Sequence, residues 1–98
     1  MKPLQCFETA AGRAIYAFPV RSFPTLINNI YVIDDGEQYV LIDTGSGMER
    51  PNADLLAGFT AIGEHLGRTF SPADIGTILI THGHIDHFGG LPFLRQYT

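Results

Sequence analysis

One cysteine in 98 residues excludes an internal disulfide, so a disulfide scaffold is ruled out and a reducing, cytoplasmic setting is expected. Basic residues are scarce too: six Lys and Arg stand against ten Asp and Glu, for a net charge of −4. Without a basic stripe, no nucleic-acid partner is expected. No apolar run approaches the ~20 residues of a membrane span. The opening MKPLQCFETAAG lacks the apolar stretch of a secretory signal. Repeats, low-complexity tracts and linkers are also absent. What remains is a globular composition, because 45% hydrophobic residues and eleven aperiodic glycines exclude disorder and collagen. Residues 1–98 are read as a single unit. Its core is modest, since so short a chain buries only roughly 60–65% of its unfolded surface.

Apolar and turn signals divide the chain into short elements. Ala14–Val20 and Ile27–Ile33 read as strands separated by the turn-prone stretch Arg21–Thr25. Asp35-Gly36 sits between β-rich runs as a two-residue hairpin signal. Tyr39–Asp43 follows with an unbroken apolar run, which predicts a strand buried on both faces. Pro51 and Asn52 mark a helix start. Leu55, Leu56, Phe59, Ile62 and Leu66 recur at three or four residues, and Gly67 is a stop. Ser71–Asp74 reads as a capped turn and Thr77–Thr81 as a strand; a last helix is expected to begin near Asp86 or His87. The class is α/β, in the order β-β-β-α-β and then a helix. Parallel pairing of strands 39–43 and 77–81 would bring their carboxyl ends, Asp43 and His82, to the edge where open sheets bind ligands. Phe7, Phe18, Phe23 and Phe59 are read as core or interface, and Tyr31 and Tyr39 as partners across the hairpin.

The chemistry is concentrated in Thr81-His82-Gly83-His84-Ile85-Asp86-His87-Phe88-Gly89-Gly90, which holds three of the four histidines. Imidazole nitrogen is the commonest zinc ligand, and carboxylate is its usual companion. His82 and His84 are two apart, so an extended segment projects both to one side. Asp86 and His87 lie within reach of the same ion or a second one. Gly89-Gly90 lets the backbone pack closely beneath such a loop. His65 as a further ligand is the weaker reading, and an exposed helix histidine is preferred.

The block THGHIDHFGG, preceded by a strand ending LIDTG, resembles the signature of the metallo-β-lactamase superfamily. That resemblance implies an αββα sandwich with one or two metal ions at one edge, of which this chain would be the N-terminal half. By position, His82 and His84 resemble first-site ligands, and Asp86 and His87 resemble second-site ligands. Asp43 matches an aspartate that supports the metal loop without binding the ion. The implied cofactor is zinc, one or two ions, with iron or manganese as substitutes. The implied activity is hydrolysis of an ester, thioester, lactone or lactam by metal-activated water, with Asp86 also serving to orient the water or relay its proton. A small-molecule substrate is expected. The residues after His87 hold no His, Asp or Glu, so the 98-residue chain is expected to be incomplete and inactive alone.

Other readings compete. A non-catalytic portion is one, with a homodimer covering the exposed sheet. An iron-dependent oxygenase of the same fold is another. Val40–Ser46 also resembles the catalytic loop of aspartic proteases, where Asp43 would share a proton with its counterpart in a second subunit. Thr44–Gly47 before a helix is a weak phosphate cradle and reads better as a plain turn.

Overall fold

The computed structural model describes residues 4–23, 26–45, 47–81 and 89–96. Strands β1 (Gln5–Glu8), β2 (Ala14–Phe23), β3 (Leu26–Asp34), β4 (Tyr39–Ile42) and β5 (Ile75–Leu79) form one five-stranded sheet in chain order. The first three pairings are antiparallel and β4–β5 is parallel. A parallel neighbour requires a crossover, and helix α1 (Glu49–Leu66) supplies it. A 3₁₀ turn at Pro72–Asp74 leads into β5, closed where the Ser71 N–H donates to the Asp74 carboxylate at 2.9 Å. A short helix α2 (Leu91–Arg95) follows. The expected α/β order is therefore present.

One face of the sheet carries the core. Register puts Tyr16, Phe18 and Val20 of β2 beside Val32 and Ile30 of β3, and all are buried. The α1 stripe Leu55, Phe59 and Ile62 packs onto them. The Phe18 and Phe59 rings meet edge-on at 6.1 Å. Gly58 lies so close to the Phe18 ring that no side chain fits between them. The helix stops as expected at Gly67, whose left-handed φ of 74° turns the Gly67 and Arg68 N–H groups back onto the last turn. Leu94 of α2 joins the same core.

Among the described residues, the other face is only partly covered. Tyr31, Ile33, Val40, Ile42 and Leu79 share it by register. Tyr31 is 38% and Leu79 50% exposed. The expectation that β4 is buried on both faces is therefore not met among the described residues: Leu41 is buried, while Val40 and Ile42 are only half-buried.

Several local expectations shift. Strand β1 was not anticipated, because an edge strand exposed along its whole length has no alternating pattern to read. Phe7 lies on it and is 53% exposed, not core. The β3–β4 connection spans Asp35–Gln38, longer than a two-residue turn. There the Asp35 carboxylate accepts the N–H groups of Gln38 and Glu37 at 2.8 and 2.9 Å. Those donors hold its pKa below the usual carboxylate range. Tyr31 pairs with Ile42 and Tyr39 with Asp34, so the tyrosines do not face each other across the hairpin. The Tyr39 ring instead meets Phe70 edge-on at 4.9 Å.

Candidate metal centre

The carboxyl ends of β4 and β5 meet as expected, and Asp43 sits at that edge. Among the described residues it is the only non-glycine with a positive φ, 66°. That conformation costs about 1–2 kcal/mol in an ordinary L-residue, so neighbouring bonds must hold it. Its N–H donates to the Leu79 carbonyl at 2.8 Å. Its carboxylate accepts the Thr81 N–H at 2.8 Å and the Thr81 hydroxyl at 2.7 Å. Asp43 is buried, where bonds to a charged acceptor are strongest. Strand β5 ends at Leu79, two residues before the expected Thr81, because Thr81 is drawn off the ladder onto Asp43.

The following segment, residues 82–88, contains His82, His84, Asp86 and His87. These four lie outside the described residues. Both flanks of the segment are described, and they converge on one loop. On the far flank, the Gly90 N–H donates to Thr44 Oγ1 at 2.9 Å and to the Gly45 carbonyl at 3.1 Å. A Cβ on Gly90 would stand 2.5 Å from the Thr44 carbonyl. Gly47, at φ 86°, backs directly onto the Gly89 carbonyl. These contacts match the close packing expected of Gly89-Gly90. The histidine segment thus leaves from Asp43 and returns to Thr44–Gly47.

Among the described residues, no three His, Cys, Asp or Glu side chains gather into a metal cluster. His65, weighed as a further ligand, is exposed on helix α1. It sits in the last turn of α1 against the Tyr16 ring at 5.7 Å. That position is ~21 Å along the helix from Pro51, which packs against Gly45.

Residues 24–98 match the family model for the metallo-beta-lactamase superfamily. The chain belongs to the metallo-β-lactamase superfamily. Among its superfamily relatives, an atrochrysone carboxyl ACP thioesterase of Aspergillus fumigatus is 41% identical over 66 residues, which is 67% of this chain and 18% of that protein. Ribonuclease J 1 of Streptococcus pyogenes is 30% identical over 79 residues, 81% of this chain and 14% of that protein. The crystal structure of a metallo-β-lactamase from Hirschia baltica superposes with a TM-score of 0.55 at 22% identity, over 97% of this chain and 40% of that one. A mono-zinc metallo-β-lactamase from Pseudomonas aeruginosa gives the same TM-score at 19% identity, over 97% and 39%. The chain therefore spans less than half the length of these superfamily members, and its sheet and helices are theirs in fold.

Thr81 and Thr44 were not singled out by sequence reasoning. Their signal was adjacency alone: one threonine precedes the first motif histidine and the other follows the strand-ending aspartate. The glycines of Thr44–Gly47 serve packing against Gly89 and Gly90, which supports the plain-turn reading over a phosphate cradle. Helix α1, 18 residues long, does not suit the nearly all-β fold that the aspartic-protease reading requires.

Proposed function

We propose that residues 82–87 hold one or two metal ions, with zinc as the leading candidate, and that the protein is a metal-dependent hydrolase of ester-like bonds. His82 and His84 would serve one ion and Asp86 and His87 the other. The observation that carries this reading is the two-ended attachment of the histidine segment, by Thr81 to Asp43 and by Gly90 to Thr44 and Gly45. A metal loop needs its donors held in place, and a segment pinned at both flanks restricts them. The donor set fits, because imidazole and carboxylate suit zinc, and iron or manganese after it. When bound, such an ion supplies a water whose pKa falls to about 7, and a Lewis acid for the substrate oxygen.

The chain's own residues have separate parts. Asp43 fixes the entrance of the loop through both donors of Thr81. Asp86 would hold an ion and orient the proton of the attacking water. The remaining ligands of a complete set would come from residues beyond these 98. A small thioester is the substrate class the reading favours, because thioesterases are among the relatives and the chain carries a net −4 charge. A phosphodiester is the second reading, supported by two ribonuclease J relatives. No helix among the described residues is long and apolar enough to cross a membrane, which is compatible with work in the cytoplasm.

The test is hydrolysis of activated thioester, lactone and bis-nitrophenyl phosphate substrates by the natural protein that carries these residues. The expected result is thioester cleavage that a chelator abolishes and that Asp86→Ala lowers on the order of 10²-fold or more. Cleavage insensitive to both would overturn the reading.

A further inference from the structure

Near its start, α1 carries a side chain that suits neither a helix nor burial. Asn52 is the fourth residue of α1, and its N–H donates to the Met48 carbonyl at 3.1 Å. Asparagine is a poor helix former, because its amide competes for nearby backbone groups. Its Oδ1 is also buried and accepts no hydrogen bond among the described residues, which is costly for a polar atom. A leucine of similar size would remove both penalties. What offsets them is one bond: Asn52 Nδ2 donates to the Gly47 carbonyl at 3.1 Å. That bond settles which way the amide faces, since a reversed amide would set oxygen against oxygen.

Gly47 is the place where such a bond matters. Its φ of 86° is left-handed, and a glycine backbone is the least restrained of all. No side chain fits between it and the Gly89 carbonyl. Gly89 therefore rests on a peptide whose direction is set from α1. The helix is a firm base for this. Pro51 is buried and borders Gly45, where a Cβ would stand 3.3 Å from it. Asp54 accepts the Arg21 N–H at 2.9 Å and so ties the same turn to β2. Thr44 and Gly45 hold Gly90 by direct hydrogen bonds, whereas Gly47 meets Gly89 by packing and is itself held by Asn52. A residue that breaks the local rules of its helix to make one distant bond points to a functional constraint.

We propose that Asn52 is a positioning residue for the histidine segment. It fixes the Gly47 peptide and, through it, the point at Gly89 where the described fold resumes. The proposal rests on the metal-loop reading for its consequence, tighter metal binding, but the anchor itself needs no metal. Asn52 acts through Gly47 and is assigned no contact with metal or substrate.

The experiment uses the natural protein that carries these residues, with Asn52→Leu and Asn52→Asp. Leucine removes the donor and the buried acceptor together. Aspartate keeps the shape, faces the Gly47 carbonyl with a second acceptor, and is tolerated near a helix start. Zinc affinity is measured by competition with a chromophoric chelator, and exchange of the Gly90 amide is followed on the metal-free form. Both variants should bind zinc more weakly, on the order of 10-fold, and exchange the Gly90 amide faster. The urea midpoint of metal-free Asn52→Leu should be no lower than that of the wild type. If Asn52 only stabilised the fold, affinity would fall only in step with that midpoint. Ala53→Ser, at the exposed neighbouring position, should change neither readout. Unchanged zinc affinity in either folded variant, or unchanged Gly90 exchange, would overturn the proposal. A wild type that takes up no zinc, with the Gly90 response intact, would sink the metal assignment alone. Zinc uptake by the wild type, matched by both variants, would sink the role of Asn52 alone.

Discussion

Asp43 holds a left-handed backbone, φ 66°, at the point where β4 leaves the sheet. Its carboxylate takes both donors of Thr81. Strain and hydrogen bonding can be separated there, because asparagine tolerates the left-handed region but offers no charge. Asp43→Asn should cost about 1.5–3 kcal/mol, the range for bonds to a charged group, and Thr81→Val about 1 kcal/mol. Urea denaturation of both variants and of the double variant checks this. The double variant should lose clearly less than the sum of the singles, since the two changes remove one shared interaction. Simple additivity would show that Thr81 and Asp43 act independently. The link joins residues 38 apart in sequence, which is why the motif could be read from local spacing and its anchor could not. Gly90 and Thr44 are 46 apart, and the same reason applies.

Helix α1 and the strands beneath it were the most legible elements, because the stripe Leu55, Phe59 and Ile62 repeats with helical period and all three are buried. Edge strand β1 and the longer Asp35–Gln38 turn were not legible, since exposure and side-chain capping leave no apolar period. The contact between α1 and β2 gives a test. Alanine at Gly58 gains about 1 kcal/mol of helix propensity, but its Cβ would collide with the Phe18 ring. Overpacking of that kind costs about 1–3 kcal/mol, so Gly58→Ala should be net destabilising. Gly58→Ala combined with Phe18→Leu should recover part of the loss. A thermal melt in which Gly58→Ala alone is stabilising would contradict the close contact of Gly58 with the Phe18 ring.

On the scale of the whole molecule, the radius of gyration is 12.5 Å, close to the ~13 Å of a folded unit of this size. Yet the second sheet face, with Tyr31 and Leu79 exposed, has the composition of an interior. Contiguous apolar surface of this sort drives association. We expect the 98-residue chain to self-associate through that face, and Tyr31→Lys with Leu79→Lys to shift its sedimentation toward monomer. A wild-type chain that stays monomeric at high concentration would remove the homodimer reading. The central claim is that the segment held between Thr81 and Gly90 is a metal loop. Metal content of the natural protein, purified and dialysed against zinc, tests it most directly. About one to two equivalents are expected, falling to background when His82→Ala and His84→Ala are combined in a variant that still folds. Undiminished zinc in that double variant would contradict the account.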